Sequence, residues 1–138
     1  MRSLLILLVL FCSVSAERDA DQKLKSCCVR QRSADKECKK RFCGFKSMNQ
    51  NNVLVFLNMC SPRGDTVKLM WDCASSKHDH QECCKRKKVL PACMKYCESN
   101  HSVPSDYLNH LICLQNFNVI RDCFQEHLDK NPNIFGDF

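Results

Sequence analysis

The order of the cysteines constrains this chain more than any other feature. After Cys12 they run Cys27-Cys28, Cys38, Cys43, Cys60, Cys73, and then Cys83-Cys84, Cys93, Cys97, Cys113, Cys123. The gaps are nine, four, sixteen and twelve residues in the first set and eight, three, fifteen and nine in the second. A vicinal pair followed by four single cysteines, offset by 56 residues from Cys27 to Cys83, reads as a tandem duplication of one six-cysteine unit, with pseudo-repeats at 27–73 and 83–123. Coincidence is the competing reading, because only the cysteines and the basic residues after each pair match. Vicinal cysteines rarely bond each other, so each pair is expected to tie to two different places. Six cysteines allow 15 pairings, and the sequence does not choose among them.

The compartment follows from the first sixteen residues. Arg2 precedes an unbroken apolar run from Leu4 to Phe11, and Val14-Ser15-Ala16 places small residues ahead of the polar Glu17-Arg18-Asp19. This is the pattern of a cleaved secretory signal peptide; an anchor needs about 20 apolar residues. Cleavage after Ala16 removes Cys12 and leaves twelve cysteines, an even number suited to six disulfides in an oxidising compartment. The expected product is a secreted, extracellular domain with no transmembrane segment. Its apolar residues are thin outside the cysteines, so cross-links are expected to supply much of the stability. At about 2–4 kcal/mol each, six bridges rival the net stability of an ordinary domain, about 5–15 kcal/mol.

Between the cysteines the periodicity is helical. Val67, Met70, Trp71 and Ala74 fall at i, i+3, i+4 and i+7 behind the candidate caps Asp65 and Thr66. Tyr107, Leu108, Leu111, Ile112 and Leu114 repeat at helical spacing after Pro104, and Ile120, Cys123, Phe124 and Leu128 continue the pattern. Leu90-Pro91 opens a short segment in which Cys93 and Cys97 share a face, with Ser33 to Phe42 as its counterpart. Val53 to Met59 suits strand or buried helix, and its alignment with Tyr107 to Ile112 favours helix. The fold expected is mainly α, a small disulfide-rich helical array over 27–128, with polar, weakly held tails at 17–26 and 129–138.

These features together resemble the nematode DB module family. The resemblance rests on the vicinal pairs, on Lys77-His78-Asp79-His80-Gln81-Glu82-Cys83-Cys84, on Val89-Leu90-Pro91-Ala92-Cys93 with Cys97, and on Cys113, Cys123 and Phe124. It covers roughly residues 27 to 124. It implies an extracellular module with about six disulfides and no defined activity. The chain departs from the family in carrying Ala74-Ser75-Ser76 where a glycine-bearing stretch is usual, which leaves that loop's conformation open.

Enzyme chemistry finds no frame. A secreted phospholipase A2 needs a vicinal cysteine pair followed by His-Asp on one helix and a glycine-rich calcium loop. Here His78-Asp79 precedes Cys83-Cys84, and the three glycines, Gly44, Gly64 and Gly136, are scattered. Zinc held by His78, His80 and nearby cysteines is disfavoured because secreted cysteines oxidise. No catalytic residue, metal or cofactor is expected.

Charge supplies the remaining signal. The chain carries 21 basic and 15 acidic residues. The basic ones cluster at Lys36, Lys39, Lys40 and Arg41 and again at Lys85, Arg86, Lys87 and Lys88, the latter a candidate anion-binding strip. Outside the cell the partners of such a strip are sulfated glycans, anionic headgroups or acidic proteins rather than nucleic acid. Asn100-His101-Ser102 is a sequon, making Asn100 a candidate glycosylation site. The function expected is a binding module for an extracellular protein, as ligand or complex component. The alternative is a matrix- or glycan-associated structural protein held by its basic clusters. Exposed Phe or Leu on a rigid helix favours the first, and salt-labile retention on heparin the second.

Overall fold

A computed structural model describes residues 18–101 and 103–138. The expected signal peptide at 1–16 and the serine of the sequon lie outside the described residues. The chain forms α1 (Ala20–Arg30), α2 (Lys36–Phe42), α3 (Val53–Cys60), α4 (Thr66–Ser75) and α5 (Gln81–Arg86), then 3-10 segments at Pro91–Tyr96, Ser99–His101 and Tyr107–Asn116, and finally α6 (Phe117–Lys130). Apart from one antiparallel bridge, Asp79 to Glu98, the described residues are helices and turns, as the sequence periodicity predicts.

The disulfides repeat one scheme in both halves. Cys27–Cys73, Cys28–Cys43 and Cys38–Cys60 close the first half. Cys83–Cys123, Cys84–Cys97 and Cys93–Cys113 close the second. In each, first bonds sixth, second bonds fourth and third bonds fifth. The local frames match as well: Cys43 stands at the C-cap of α2 and Cys97 at the C-cap of the Pro91–Tyr96 segment. Each vicinal pair is thereby tied to two separate elements.

The bridges segregate, but the core does not. The buried stripes of α4 (Val67, Met70, Cys73) and α6 (Ile120, Cys123, Phe124, Leu128) pack together and both meet α1. Trp71 stands edge-on to Phe124 and Tyr96, with ring centroids 5.4 and 6.2 Å apart, so one aromatic of the first half is clasped by two of the second. At about 25 cal/mol per Å² of apolar surface removed from water, two units of this size gain by sharing one core.

The segments expected as polar tails are held in place. Asp19 caps α1 in a capping box with Gln22, so the helix begins at Ala20, within the stretch 17–26. Its buried face runs Ala20, Lys23, Leu24, Cys27, Cys28. Lys23 is 1% exposed, and its ammonium donates to the carbonyls of Leu128, Asp129 and Asn131 at the C-terminus of α6. Within 129–138, Asn133 is buried and donates to the Lys23 carbonyl, while Asp137 accepts from Ser26 and Arg30. Most of their polar side chains face water, and Lys23 and Asn133 are the interior exceptions, bonded to backbone carbonyls.

Two helical expectations are modified. Asp65 takes the N-cap position of α4 without a side-chain bond, while Thr66 donates to the Arg63 carbonyl and accepts from the Asp35 N–H. The segment Tyr107–Asn116 is a 3-10 helix that breaks at His110 (φ −125°, ψ 39°), whereas its counterpart α3 is regular. The Tyr96 hydroxyl lies 3.2 Å from the His110 ring, and Tyr107 bonds Ser61 in the other half. The side chain of Leu108 lies outside what is described.

Candidate functional site

A cavity of about 100 Å³ lies where the halves meet. The first half contributes Phe56, Met70 and Trp71 among its walls; the second contributes Tyr96, Ile120 and Phe124. Almost every lining atom is apolar. The indole N–H of Trp71 is buried without a hydrogen-bond partner.

The cavity reaches the surface between α3 and the Tyr107–Asn116 segment, which occupy equivalent positions in the two repeats. Leu54 and Leu111 line it while remaining 37% and 51% exposed. Their chain neighbours Val55 and Ile112, which do not line it, are 48% and 57% exposed. The apolar run Val53 to Met59 thus forms a helix that is apolar on its buried side and on part of its exposed side. Arg121 spans the junction beneath, donating to the Met48 carbonyl at 3.1 Å and to the Asp122 carboxylate.

The basic strip Lys85 to Lys88 is partly neutralised. Lys87 pairs with Glu126, and Arg86 lies 3.8 Å from the same carboxylate. The hydrogen bond from Lys87 holds the Glu126 carboxyl below the usual range, against a smaller opposing effect of burial. Lys85 and Lys88 remain exposed. A second arrangement is visible only in three dimensions. Lys25 on α1 and Lys36, Lys39 and Lys40 on α2 surround an open groove of about 370 Å³ beside Val29 and the bridge Cys28–Cys43. The sequence shows the α2 lysines as a cluster; Lys25 joins them because the disulfide brings α1 alongside.

His78, His80 and His127 form a third cluster. His78 stacks on His127 with centroids 4.1 Å apart, and His80 stands edge-on to both. His80 is buried, with Nε2 2.7 Å from the Ser75 carbonyl, and burial lowers its pKa. Burial, and then the neighbouring His78 and His80, push His127 down to about 4. Among the described residues no group of three or more His, Cys, Asp or Glu is placed to hold a metal ion. Every cysteine near His78 and His80 is in a disulfide. Asn100 is exposed in the middle of its 3-10 turn, Ser99–His101.

Twelve cysteines in two copies of one bridge scheme, joined through a shared helical core, define a small disulfide-rich module of extracellular type. A family model described as DB module matches residues 27–124. The chain belongs to that family. No curated protein and no solved structure matches it. Among the described residues no helix is long and apolar enough to cross a membrane.

The backbone settles the conformation of the loop that follows Ala74-Ser75-Ser76. Ser76 (φ 60°) and Lys77 (φ 51°) both lie in the left-handed region where α4 ends. Glycine adopts that conformation without a Cβ clash, whereas an L side chain costs about 1–2 kcal/mol. This chain bears that cost.

Proposed function

We propose that this chain is a secreted binding module whose contact surface for an extracellular protein is the apolar rim formed by α3 and the Tyr107–Asn116 segment. The observation that carries the reading is the exposure of Leu54, Val55, Leu111 and Ile112 on equivalent elements of two cross-linked repeats. Each such side chain yields about 1.5–3 kcal/mol when fully buried, and contact energy concentrates in apolar anchors of this kind. Three disulfides behind each element keep the ordering cost of binding low. The module acts outside the cell as a ligand or a complex component, with no catalytic step of its own.

The test is capture of extracellular proteins by the oxidised mature domain alongside the Val55→Asp/Ile112→Asp double variant. A partner retained by the wild type and lost with the variant supports the reading. A partner retained equally by both overturns the rim as the contact.

The groove of Lys25, Lys36, Lys39 and Lys40 favours a second reading, attachment to sulfated glycans. It places four lysines around one concavity, whereas two members of the Lys85 to Lys88 strip already face Glu126. Heparin retention is the discriminating measurement. Neutralising the four groove lysines should shift elution to lower salt, and neutralising Lys85 and Lys88 should shift it less. Neutralising Lys46 and Lys77, which are exposed and lie outside both clusters, is the control for total charge.

A further inference from the structure

We propose that the protein seated on the rim of α3 and the Tyr107–Asn116 segment is a second copy of this chain. The inference names a partner for the contact surface argued above and rests on that reading.

The distribution of charge carries it. From Ser47 to Pro62, and again from Tyr107 to Ile120, the sequence contains no Asp, Glu, Lys or Arg, in a chain that is 26% charged. Those two stretches hold both elements of the rim. Beside the exposed Leu54, Val55, Leu111 and Ile112, their exposed polar side chains are amides apart from Ser47: Gln50, Asn51, Asn58, Asn109 and Gln115. Charged groups reach the stretches from outside, Arg41 at Met59, Lys95 at His110 and Arg121 at the Met48 carbonyl, and Arg121 is paired with Asp122. An apolar patch edged by polar residues marks protein contact, and here the edge is uncharged. A two-fold interface needs groups that complement themselves. Apolar side chains do so, and so do amides, which carry both donor and acceptor; a charge that meets its own copy does not. With 21 basic against 15 acidic residues, two copies repel each other, and this face lets them approach without setting like charges in contact. The duplication supplies the geometry. A two-fold axis through the rim lays α3 of one copy on the Tyr107–Asn116 segment of the other, and the reverse.

The test is sedimentation equilibrium of the full oxidised mature chain, from about 1 to about 100 μM, where a monomer–dimer equilibrium should appear. The Val55→Asp/Ile112→Asp variant should weaken the dimer about a hundredfold or more. Asn109→Asp and Asn109→Lys should each weaken it by about tenfold, because neither sign finds an opposite charge on the facing copy. Added salt should tighten the dimer, since it screens the net repulsion between copies. Circular dichroism and intact mass establish that each variant keeps its helices and its six bridges. A chain that stays monomeric at the highest concentration would overturn the proposal, as would a dimer that survives the double variant. A dimer that salt weakens, or that one sign at position 109 tightens, would also overturn it by revealing a charged partner face. A monomer that captures a different protein through Val55 and Ile112 leaves the rim standing as a contact surface and removes only the second copy as its occupant.

Discussion

The ammonium of Lys23 lies 2.7 Å from the carbonyl oxygen of Leu128, joining the first helix to the last turn of the last helix across 105 residues of sequence. Two further carbonyls, of Asp129 and Asn131, share the same donor. In return the Asp129 carboxylate accepts the Ala20 N–H at 2.9 Å, so a helix start and a helix end satisfy each other. A buried cation with three carbonyl partners is stable; three buried carbonyls without one are not.

Lys23→Met should therefore destabilise the fold by about 2–4 kcal/mol, although the side chain keeps its volume. Lys25→Met, two positions further on and on the exposed face of α1, should change stability by less than about 0.5 kcal/mol. Chemical denaturation of the two variants under non-reducing conditions provides the measurement. Equal effects would show that the carbonyls at the end of α6 are satisfied by other means.

Cleavage between Cys73 and Cys83 should separate the covalent and non-covalent links between the halves. Because each bridge closes within its own half, a cut near Ser75 to Lys77 should release two fragments under denaturing, non-reducing conditions. Under native conditions the same cut chain should stay together, held by the packing of α4 on α6 and of α1 on both. Fragments that remain linked in denaturant until reductant is added would show bridges crossing the halves. Intact mass of the uncut secreted chain should at the same time show no free thiol and a first residue at Glu17.

Ser76→Gly should stabilise the protein by about 1 kcal/mol. The substitution removes a Cβ from a left-handed position and also removes a hydroxyl that is buried without a partner. The control is Ser76→Ala, which removes the hydroxyl and keeps the Cβ. If alanine matches glycine in thermal unfolding, the backbone conformation is not what costs stability.

Acid should weaken the fold through His127. Its pKa falls from the model-compound value of 6.5 in the unfolded chain to about 4 in the folded one. Between those values the unfolded state binds the additional proton, so stability is complete above about pH 6.5 and declines as the pH falls towards 4. Buried His80, shifted in the same direction, adds to the decline. Thermal unfolding followed from pH 7 to pH 4 should show a slope that His127→Gln reduces. An unchanged slope in the variant would place the acid sensitivity elsewhere.

The helices of this chain were legible because its cysteines and apolar residues share one period. The stripe of Ile120, Cys123, Phe124 and Leu128 is buried as its spacing predicts. What the spacing could not convey is which polar residues are interior. Lys23 and Asn133 look like surface residues in a linear reading, and both are buried because their partners stand more than a hundred positions away. The site was less legible for the same reason. Leu54 and Leu111 belong to separate repeats, and Lys25 meets the α2 lysines only after Cys28 bonds Cys43. Strongly basic strings drew attention to Lys85 to Lys88, where Glu126, 38 to 41 residues on, already answers part of the charge.

The repeated bridge scheme also bears on how the chain reaches its oxidised state. Confined to its own half, each set of six cysteines selects one of 15 pairings, instead of one from the far larger number open to twelve together. The three bonds of the first half all lie between Cys27 and Cys73, so they can form while the second half is still being synthesised. Lys23, by contrast, has no carbonyls to bind until Leu128 arrives. The order of synthesis therefore sets the order of locking: one covalent knot, then its copy, and only at the very end the hydrogen-bonded latch that closes the first helix onto the last.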